Sequence, residues 1–195
     1  CAVKSIYEIH QWYSDPALTL RGTARVSGGD EVIFSKPSDS FPIGANRTTT
    51  PASCSSSSPY DCNLAPFPDG SSGDPTRILG YGYDNLGGCP AATMVELYGD
   101  QGASSIFRTH GHDWVEFNCL DITDHSNCGF RTGANDCAEN YPADVGAYAR
   151  DGFSGHGGSN QTYKYVKVHG MALRAFNVGD VTNLTLDHVD MDGNH

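Results

Sequence analysis

A repeated pattern of apolar and polar residues limits what this chain can fold into more than any other feature of the sequence. The segments VEFNCLDITDH (115–125) and NLTLDHVDMDGN (183–194) share the order apolar, polar, apolar, two turn residues, apolar, polar, apolar. The segment YKYVKVHG (163–170) fits the same frame. Alternation over so few residues is typical of short β-strands with one buried face. The chain is therefore expected to stack several copies of one strand unit.

The spacing of the three copies gives the length of the repeat. Phe117 aligns with Tyr163 and with Leu186, so the offsets are 163 − 117 = 46 and 186 − 163 = 23 residues. Because 46 is twice 23, we expect one further turn between the first two copies. Residues 145–149 (VGAYA), with small apolar residues at alternate positions, are the candidate for that turn.

A repeat of about 23 residues built from short strands predicts an all-β fold, a right-handed parallel β-helix. Stacked turns pair each strand with its copy above and below and align the inward residues in columns. A leucine-rich repeat is disfavoured because its signature and its helical face are absent, and a β-sandwich would show antiparallel hairpins without a fixed period. The expected inward residues are Phe117, Leu120, Ile122, Val166, Val168, Leu186, Val189 and Met191.

The first residues of the chain predict a cap for the end of this core. Within residues 4–13 (KSIYEIHQWY), Ile6, Ile9 and Tyr13 lie on one face of a helix. We therefore expect a short N-terminal capping helix there.

Two different textures separate the chain into two regions. Residues 1–75 are expected to hold the cap, two initial strands within 29–44 and a long Ser- and Pro-rich loop over 45–76. Residues 76–195 are expected to hold the β-helix turns, and the repeat reaches the last residues without a cap. That pattern predicts that the turns continue beyond the sequence or that another subunit continues the stack.

The charge balance excludes one class of partner. The chain has 23 acidic and 12 basic residues, a net charge of −11. Nucleic acid is excluded because no Lys/Arg cluster is present to replace its counterions. The sequence contains no run of 18 apolar residues, so no membrane span is predicted. The acidic excess is compatible with calcium as a cofactor, or simply with solubility, and no other cofactor is indicated.

Seven cysteines favour an oxidising compartment. No C-x-x-C pair is present, so disulfides are favoured over a metal site, and we expect at least two of them. Cys54 and Cys62 bracket a Ser-rich loop, and two of Cys119, Cys128 and Cys137 are close enough in sequence to pair.

The same compartment is indicated by three N-glycosylation sequons, at Asn46, Asn160 and Asn183, although such triplets also arise by chance. We therefore expect a glycoprotein that is extracellular or at the cell surface. Cys1 is either a lipidated anchor residue, as in bacterial lipoproteins, or simply the point where the sequence starts.

The segments PTRILGYG (75–82), WVEFNCLDITDHSNCG (114–129), KYVKVHGMALRAF (164–176) and NLTLDHVDMDGN (183–194) resemble the right-handed parallel β-helix repeat proteins, a group that includes pectate-lyase-like enzymes. The segment GGDEVIFSKPSDSFPIG (28–44) resembles the start of such domains. The resemblance covers about two-thirds of the chain. It is specific for fold rather than function, because this fold hosts lyases, hydrolases, adhesins and structural proteins.

Outward positions at the repeat spacing should also align in columns, and this fold usually builds its substrate groove on such a face. The three columns are Asn118, Lys164 and Asp187; Asp121, Lys167 and Asp190; and Thr123, His169 and Asp192.

The resemblance to pectate-lyase-like enzymes implies a chemistry for these columns. Those enzymes hold calcium with acidic residues to neutralise a uronate, and an Arg or Lys removes the proton beside its carboxylate. Asp121, Asp190 and Asp192 would be the metal ligands here, with Lys167 or Arg174 as the base. The alternative is that opposite charges on a solvated sheet face pair with one another, for a few tenths of a kcal/mol each.

Asp124 and His125 form a second candidate cluster. An Asp–His pair can act as a base and its orienting group. In turns, however, the same residue types often hydrogen-bond the backbone and cap a strand.

Four tyrosines near the longest insertion form a candidate substrate platform. Exposed aromatic rings stack on sugar rings, whereas buried ones would roof the core. These residues are Tyr141, Tyr148, Tyr163 and Tyr165.

Together these features predict an extracellular β-helix protein that binds or processes polysaccharide, as a lyase or hydrolase would. The alternative is a structural surface protein without catalysis, an adhesin, sheath or filament subunit whose partners are other copies of itself. Whether the chain is an enzyme is left open by the sequence, since no convergent catalytic set is evident.

Overall fold

The computed structural model describes residues 6–13, 20–22, 24–34, 40–43, 63–83, 89, 94–99, 103–124 and 149–192. These residues form an all-β structure with mainly parallel sheets. A single 3-10 turn at Ile6–Glu8 precedes the strands β1 (Trp12–Tyr13), β2 (Leu20–Arg21), β3 (Glu31–Phe34), β4 (Ser40–Ile43), β5 (Thr76–Gly80), β6 (Val95–Gly99), β7 (Ala103–Arg108), β8 (Asp113–Asp124), β9 (Ala149–His156), β10 (Ser159–His169), β11 (Arg174–Gly179) and β12 (Thr185–Asp192).

The strands pair in parallel across two sheets. The larger sheet has the order β12-β10-β8-β5-β3, and β6 lies beside β8 with β4 on its other side. The smaller sheet has the order β11-β9-β7. Strands β1 and β2 form a small antiparallel pair. Parallel pairing is therefore confirmed for the described strands between residues 114 and 192.

The alignment predicted from the repeat is confirmed by the register of β8, β10 and β12. In the central column, Phe117 lies opposite Tyr163, which lies opposite Leu186. The next two inward columns are Leu120, Val166 and Val189, and Ile122, Val168 and Met191. Because these parallel strands pair in register, the residues of one column lie on the same side of the sheet.

The turn expected at residues 145–149 does not lie between these copies. Strands β8 and β10 are direct hydrogen-bonded neighbours. The 46 residues from Phe117 to Tyr163 therefore form one circuit, by which we mean the stretch of chain from a residue to its partner on the next strand, rather than two. The next circuit has 23 residues, as Asp151 opposite Arg174 shows in the smaller sheet. The longer circuit contains residues 125–148, which lie outside the described residues, and Ala149 begins β9.

A stacked bend divides each of the three long strands into two parts. The backbone has positive φ values of 62°, 49° and 54° at Cys119, Tyr165 and His188, which occupy equivalent register positions. Non-glycine residues persist in this conformation only where the surrounding structure holds them, because it costs about 1–3 kcal/mol each. The two parts of each strand therefore belong to two different faces.

A second stacked bend lies at the start of the same strands, at Trp114, Asn160 and Asn183. Asparagine tolerates a positive φ better than most residues because its short side chain can hydrogen-bond locally. Here Asn183 Nδ2 donates a hydrogen bond to Asn160 Oδ1 over 3.0 Å. This asparagine ladder ties two successive circuits together at the corner.

The bends define three faces, all parallel. The first face contains β3, β5 and residues 115–118, 161–164 and 185–187. The second face contains β4, β6 and residues 120–124, 166–169 and 189–192. The third face contains β7, β9 and β11.

All three faces contribute to one core. The buried cluster includes Phe117 from the first face, Leu120 and Ile122 from the second, and Phe107 and Phe153 from the third. The ring centroid of Phe117 lies 4.9 Å from that of Phe107 and 5.0 Å from that of Phe153. Contacts of this kind between aromatic rings stabilise a core beyond the area they bury.

The inward columns become more open at β12. The predicted inward residues of β8 and β10 are fully buried, whereas Leu186 is 48% exposed and Met191 is 52% exposed. Val189 is partly buried against the core. Within the described residues, β12 has a neighbour on one side only, and that neighbour is β10.

The predicted N-terminal capping helix is wrong. The segment forms one 3-10 turn over Ile6–Glu8 and then the short strand β1, so its helical periodicity did not determine its conformation. Ile6 and Tyr7 are nevertheless buried in the core cluster. His10 stacks on Phe67 with ring centroids 4.2 Å apart, and burial lowers the pKa of its imidazole.

Polar groups inside the core are hydrogen-bonded to one another. Tyr163 Oη donates to Gln161 Oε1 over 3.1 Å, and Gln161 Nε2 donates to the carbonyl oxygens of Thr109 and His112. Burial raises the pKa of Tyr163 to about 12, so the phenol remains a neutral donor. Satisfying these groups avoids the cost of a buried polar atom without a partner.

We predict that Phe117→Ala lowers the free energy of unfolding by about 3–5 kcal/mol, because it removes a buried ring and leaves a cavity. Leu186→Ala is the matched control, since Leu186 stands in the same inward column but is 48% exposed. It should cost about 0.5 kcal/mol. The measurement is urea unfolding followed by circular dichroism. Equal losses of unfolding free energy in the two variants would contradict the core described above.

Candidate functional site

The outward side of the second face carries a dense group of polar side chains. Neighbouring strands β6, β8, β10 and β12 place their outward residues in two rows across this face. We call these eight residues the second-face patch: Glu96, Asp121, Lys167 and Asp190 in one row, and Tyr98, Thr123, His169 and Asp192 in the other.

A hydrogen-bonded Asp–His pair lies within the second-face patch. His169 Nε2 and Asp121 Oδ1 are 2.7 Å apart, and both side chains are partly exposed. The other imidazole nitrogen, Nδ1, lies 3.5 Å from Thr123 Oγ1. The pair connects adjacent strands diagonally, a separation that long side chains can span. In such a pair the carboxylate can fix the orientation of the imidazole, or the imidazole can fix the orientation of the carboxylate.

Lys167 lies between Asp121 and Asp190 in the register of the second face. Among the described residues, no ion pair involves its ammonium group. The expected alternation of Asp and Lys is therefore present, but Lys167 forms no described ion pair with Asp121 or Asp190. The Lys167 side chain is available to a ligand on this face.

The predicted metal ligands Asp121, Asp190 and Asp192 belong to the second-face patch, but Lys167 separates the first two and Asp121 is bound to His169. In the part of the chain that the structure describes, no group of three or more His, Cys, Asp or Glu residues is arranged to hold a metal ion. Calcium needs several converging oxygen ligands.

The structure does not bring the predicted catalytic residues together. Arg174 lies on the third face, where its Nε donates to Asp151 Oδ1 over 2.9 Å. Burial raises the pKa of Asp151, while Arg174 and Arg150 oppose that rise. Asp124 is buried, and its Oδ2 accepts a hydrogen bond from the Ala149 amide, so it caps β9. His125 lies outside the described residues.

The predicted tyrosine platform is only partly described. Tyr163 is fully buried in the core, so it is not available to a substrate. Tyr165 is partly exposed at a backbone bend, where its ring lies 4.7 Å from the ring of His188. Tyr141 and Tyr148 lie outside the described residues.

The first face shows that opposite charges do pair on this structure. Arg77 lies 2.8 Å from Glu31 and 3.4 Å from Glu116. The hydrogen bond with Glu31 is the main cause that raises the pKa of Arg77, and partial burial opposes this rise. In the predicted outward column, Lys164 lies 4.0 Å from Asp187. Exposed pairs of this kind contribute little stability, about 0–1 kcal/mol.

One disulfide joins the described cysteines. Cys119 pairs with Cys89, with 5.5 Å between the Cα atoms and a sequence separation of 30 residues. The sequence predicts a pair among Cys119, Cys128 and Cys137, whereas the structure pairs Cys119 with Cys89, a cysteine that sequence spacing did not single out. The other five cysteines, Cys1, Cys54, Cys62, Cys128 and Cys137, lie outside the described residues.

The two described sequon asparagines differ in accessibility. Asn160 Nδ2 donates to Ser159 Oγ over 2.9 Å, and its Oδ1 accepts from Asn183, so its amide is held within the ladder. Asn183 is exposed. Glycosylation stays a prediction, and Asn183 is the better acceptor of the two. Asn46 lies outside the described residues.

No protein-family model, curated protein or solved structure matches this chain. The resemblance to pectate-lyase-like proteins therefore stays a prediction. No helix among the described residues has the length and apolar character that a membrane crossing requires.

Sequence reasoning placed most of the second-face patch correctly but missed two of its features. It aligned His169 with Thr123 and Asp192 without giving it a role, because the diagonal contact to Asp121 depends on side-chain direction. It also omitted Glu96, which lies directly opposite Asp121. The apolar-polar alternation of β6 was the signal that could have added this residue.

We predict that removing the Cys89–Cys119 disulfide lowers the free energy of unfolding by about 3–4 kcal/mol, the entropy expected for a loop of this length. The variant is the double substitution Cys89→Ser and Cys119→Ser, which leaves no unpaired thiol from this bond. Urea unfolding gives the loss. A peptide map of the unreduced protein that lacks the Cys89–Cys119 link would contradict the pairing.

Proposed function

We propose that this chain is a right-handed parallel β-helix of an extracellular protein, and that its second-face patch hydrolyses a neutral polysaccharide. The fold proposal is supported by the offsets of 23 and 46 residues between stacked strands and by three parallel faces around one core. The compartment is supported by the disulfide, because such bonds persist mainly in oxidising environments.

The observation that carries the proposed reaction is a pair of outward carboxylates on adjacent strands. Glu96 on β6 lies opposite Asp121 on β8. Neighbouring strands are about 4.8 Å apart, which is close to the separation of about 5–5.5 Å between the two carboxyl groups of retaining glycosidases. Two carboxylates at this spacing can flank a glycosidic bond, so that one attacks the anomeric carbon and the other protonates the leaving group.

The surroundings of the two carboxylates suit them to different roles. Asp121 is hydrogen-bonded to His169 and lies beside Lys167 in the register, so its carboxylate is held in place for the role of nucleophile. Glu96 is then the general acid.

The proposed reaction runs in two steps. Asp121 attacks the anomeric carbon while Glu96 gives its proton to the departing glycosidic oxygen, whose bond to that carbon breaks. Water then attacks the sugar bound to Asp121, gives a proton to Glu96 and restores both groups. The product keeps the configuration of the bond that was cut.

Charge decides between a neutral and an acidic polysaccharide. The second-face patch has four carboxylates and one lysine, and the whole chain carries a net charge of −11. A polyanion would be repelled by this field, whereas a neutral chain would not. The uronate elimination implied by the family resemblance is therefore less well supported than hydrolysis.

We predict that Asp121→Asn and Glu96→Gln each lower kcat by about 10²–10⁴ on a polysaccharide that the protein cleaves, because each removes a proton-transfer or nucleophilic group. Reducing-end release from a panel of neutral and acidic polysaccharides identifies the substrate and gives the rate.

The matched controls are Asp187→Asn and Glu116→Gln. Asp187 also lies next to a histidine, His188, but Asp187 and Glu116 are outward residues of the first face rather than of the second. Both controls should keep the wild-type rate. Cleavage of an acidic polysaccharide with unsaturated products, or no cleavage across the panel, would contradict the hydrolase proposal.

The second candidate function is a structural surface subunit that stacks end to end. It is favoured by the exposed apolar side chains of β12, Leu186 and Met191, beside a strand edge without a described partner. Parallel pairing of β12 with a strand of another copy would cover the strand edge and the two apolar side chains.

We predict that, if this structural role holds, sedimentation velocity detects assemblies that grow with protein concentration and that Leu186→Glu dissolves them. Tyr81→Glu is the matched control, because Tyr81 is similarly exposed (45%) but follows β5, which has neighbouring strands on both sides. A single monomeric species at all concentrations would remove this candidate.

A further inference from the structure

A cleft of about 530 Å³ lies away from the second-face patch. It is formed where the N-terminal segment meets the connection from β7 to β8. Its lining consists of Gln11, Tyr13, Leu20, Ala65, Pro66, Arg108, His110 and His112. A volume of this size is within the range of small-molecule sites.

The cleft concentrates positive and hydrogen-donating groups in an acidic protein. Arg108 lies with its guanidinium carbon 5.1 Å from the centroid of the Tyr13 ring. Among the described residues, no carboxylate pairs with Arg108, and its Nη1 is buried without a hydrogen-bond partner. No carboxylate of the described residues therefore neutralises this guanidinium, and an anionic ligand in the cleft would supply the missing counter-charge.

The two histidines add to this character. His112 Nδ1 lies 2.8 Å from Asp69 Oδ1, which also accepts a hydrogen bond from the Asp113 amide. The carboxylate of Asp69 is thus occupied, and it orients the His112 ring. His110 is exposed at the same cleft, with its ring centroid 6.3 Å from that of His156.

We infer that this cleft binds the carboxylate of a small organic acid of sugar size, such as a uronic acid. The planar guanidinium of Arg108 matches the geometry of a carboxylate, and Gln11, His110 and His112 add hydrogen-bonding groups around it. The cleft is far larger than an inorganic anion requires, since one water occupies about 30 Å³. Leu20, Ala65 and Pro66 supply an apolar wall for the body of the ligand.

This inference is independent of catalysis at the second-face patch, and its test uses binding alone. The probes are sodium glucuronate, glucose as the uncharged ring of the same size, and sodium sulfate as a free anion. Binding is followed by the NMR signals of the His110 and His112 rings in the full chain. Glucuronate should shift them in a saturable way, while glucose should not and sulfate should bind at least tenfold more weakly.

Arg108→Gln should weaken glucuronate binding about tenfold or more, the loss expected for one charge-assisted hydrogen bond. Arg77→Gln is the matched control, because it removes an arginine from the first face, where Arg77 pairs with Glu31 and Glu116. It should bind glucuronate as the wild type does. Should Arg108→Gln fail to fold, His110→Gln tests the same cleft from an exposed position and should weaken binding about threefold.

Three results would overturn the inference. The first is glucose binding as tightly as glucuronate, and the second is sulfate binding as tightly as glucuronate, which would make the cleft a general anion site. The third is wild-type affinity in both Arg108→Gln and His110→Gln. Asp121→Asn should leave glucuronate binding unchanged, so failure of the hydrolase proposal and failure of this one give different results.

Discussion

The register of the parallel strands is the constraint on which the rest of this structure depends. Because successive side chains point to opposite sides of a strand, a slip of one residue would turn Phe117 and Tyr163 outward and the polar rows inward. The stacked backbone bends at Cys119, Tyr165 and His188 hold this register by changing the direction of every long strand at the same position. One alignment thus fixes both the aromatic core and the second-face patch.

The sequence predicted the register of the repeat correctly because alternation is a local property that each copy carries by itself. It could not show whether an offset of 46 residues is two circuits or one longer circuit, since both give the same alignment of Phe117 with Tyr163. The third face was also hidden: β9 and β11, with the sequences ARDGFSGH and RAFNVG, lack a clear apolar alternation. The helical periodicity of residues 4–13 misled because long-range packing overrode a weak local preference.

The candidate site was predictable to the level of its columns and no further. Alternation placed Asp121, Lys167 and Asp190 side by side, as the structure does. The contact between Asp121 and His169 is diagonal, and it depends on rotamers that no spacing rule provides. The cleft around Arg108 joins the N-terminal segment to a loop almost a hundred residues away, a proximity that only the folded chain reveals.

The unequal circuits have a consequence for how a chain of this kind can change. Between β8 and β9 the chain takes 23 residues more than the following circuit uses, yet the strands on either side remain in register. The length of a corner connection is therefore uncoupled from the stacking of the faces, and lengthening a loop costs little entropy. Such a corner is a place where insertions can accumulate, or where a foreign peptide can be grafted, without a change to the scaffold.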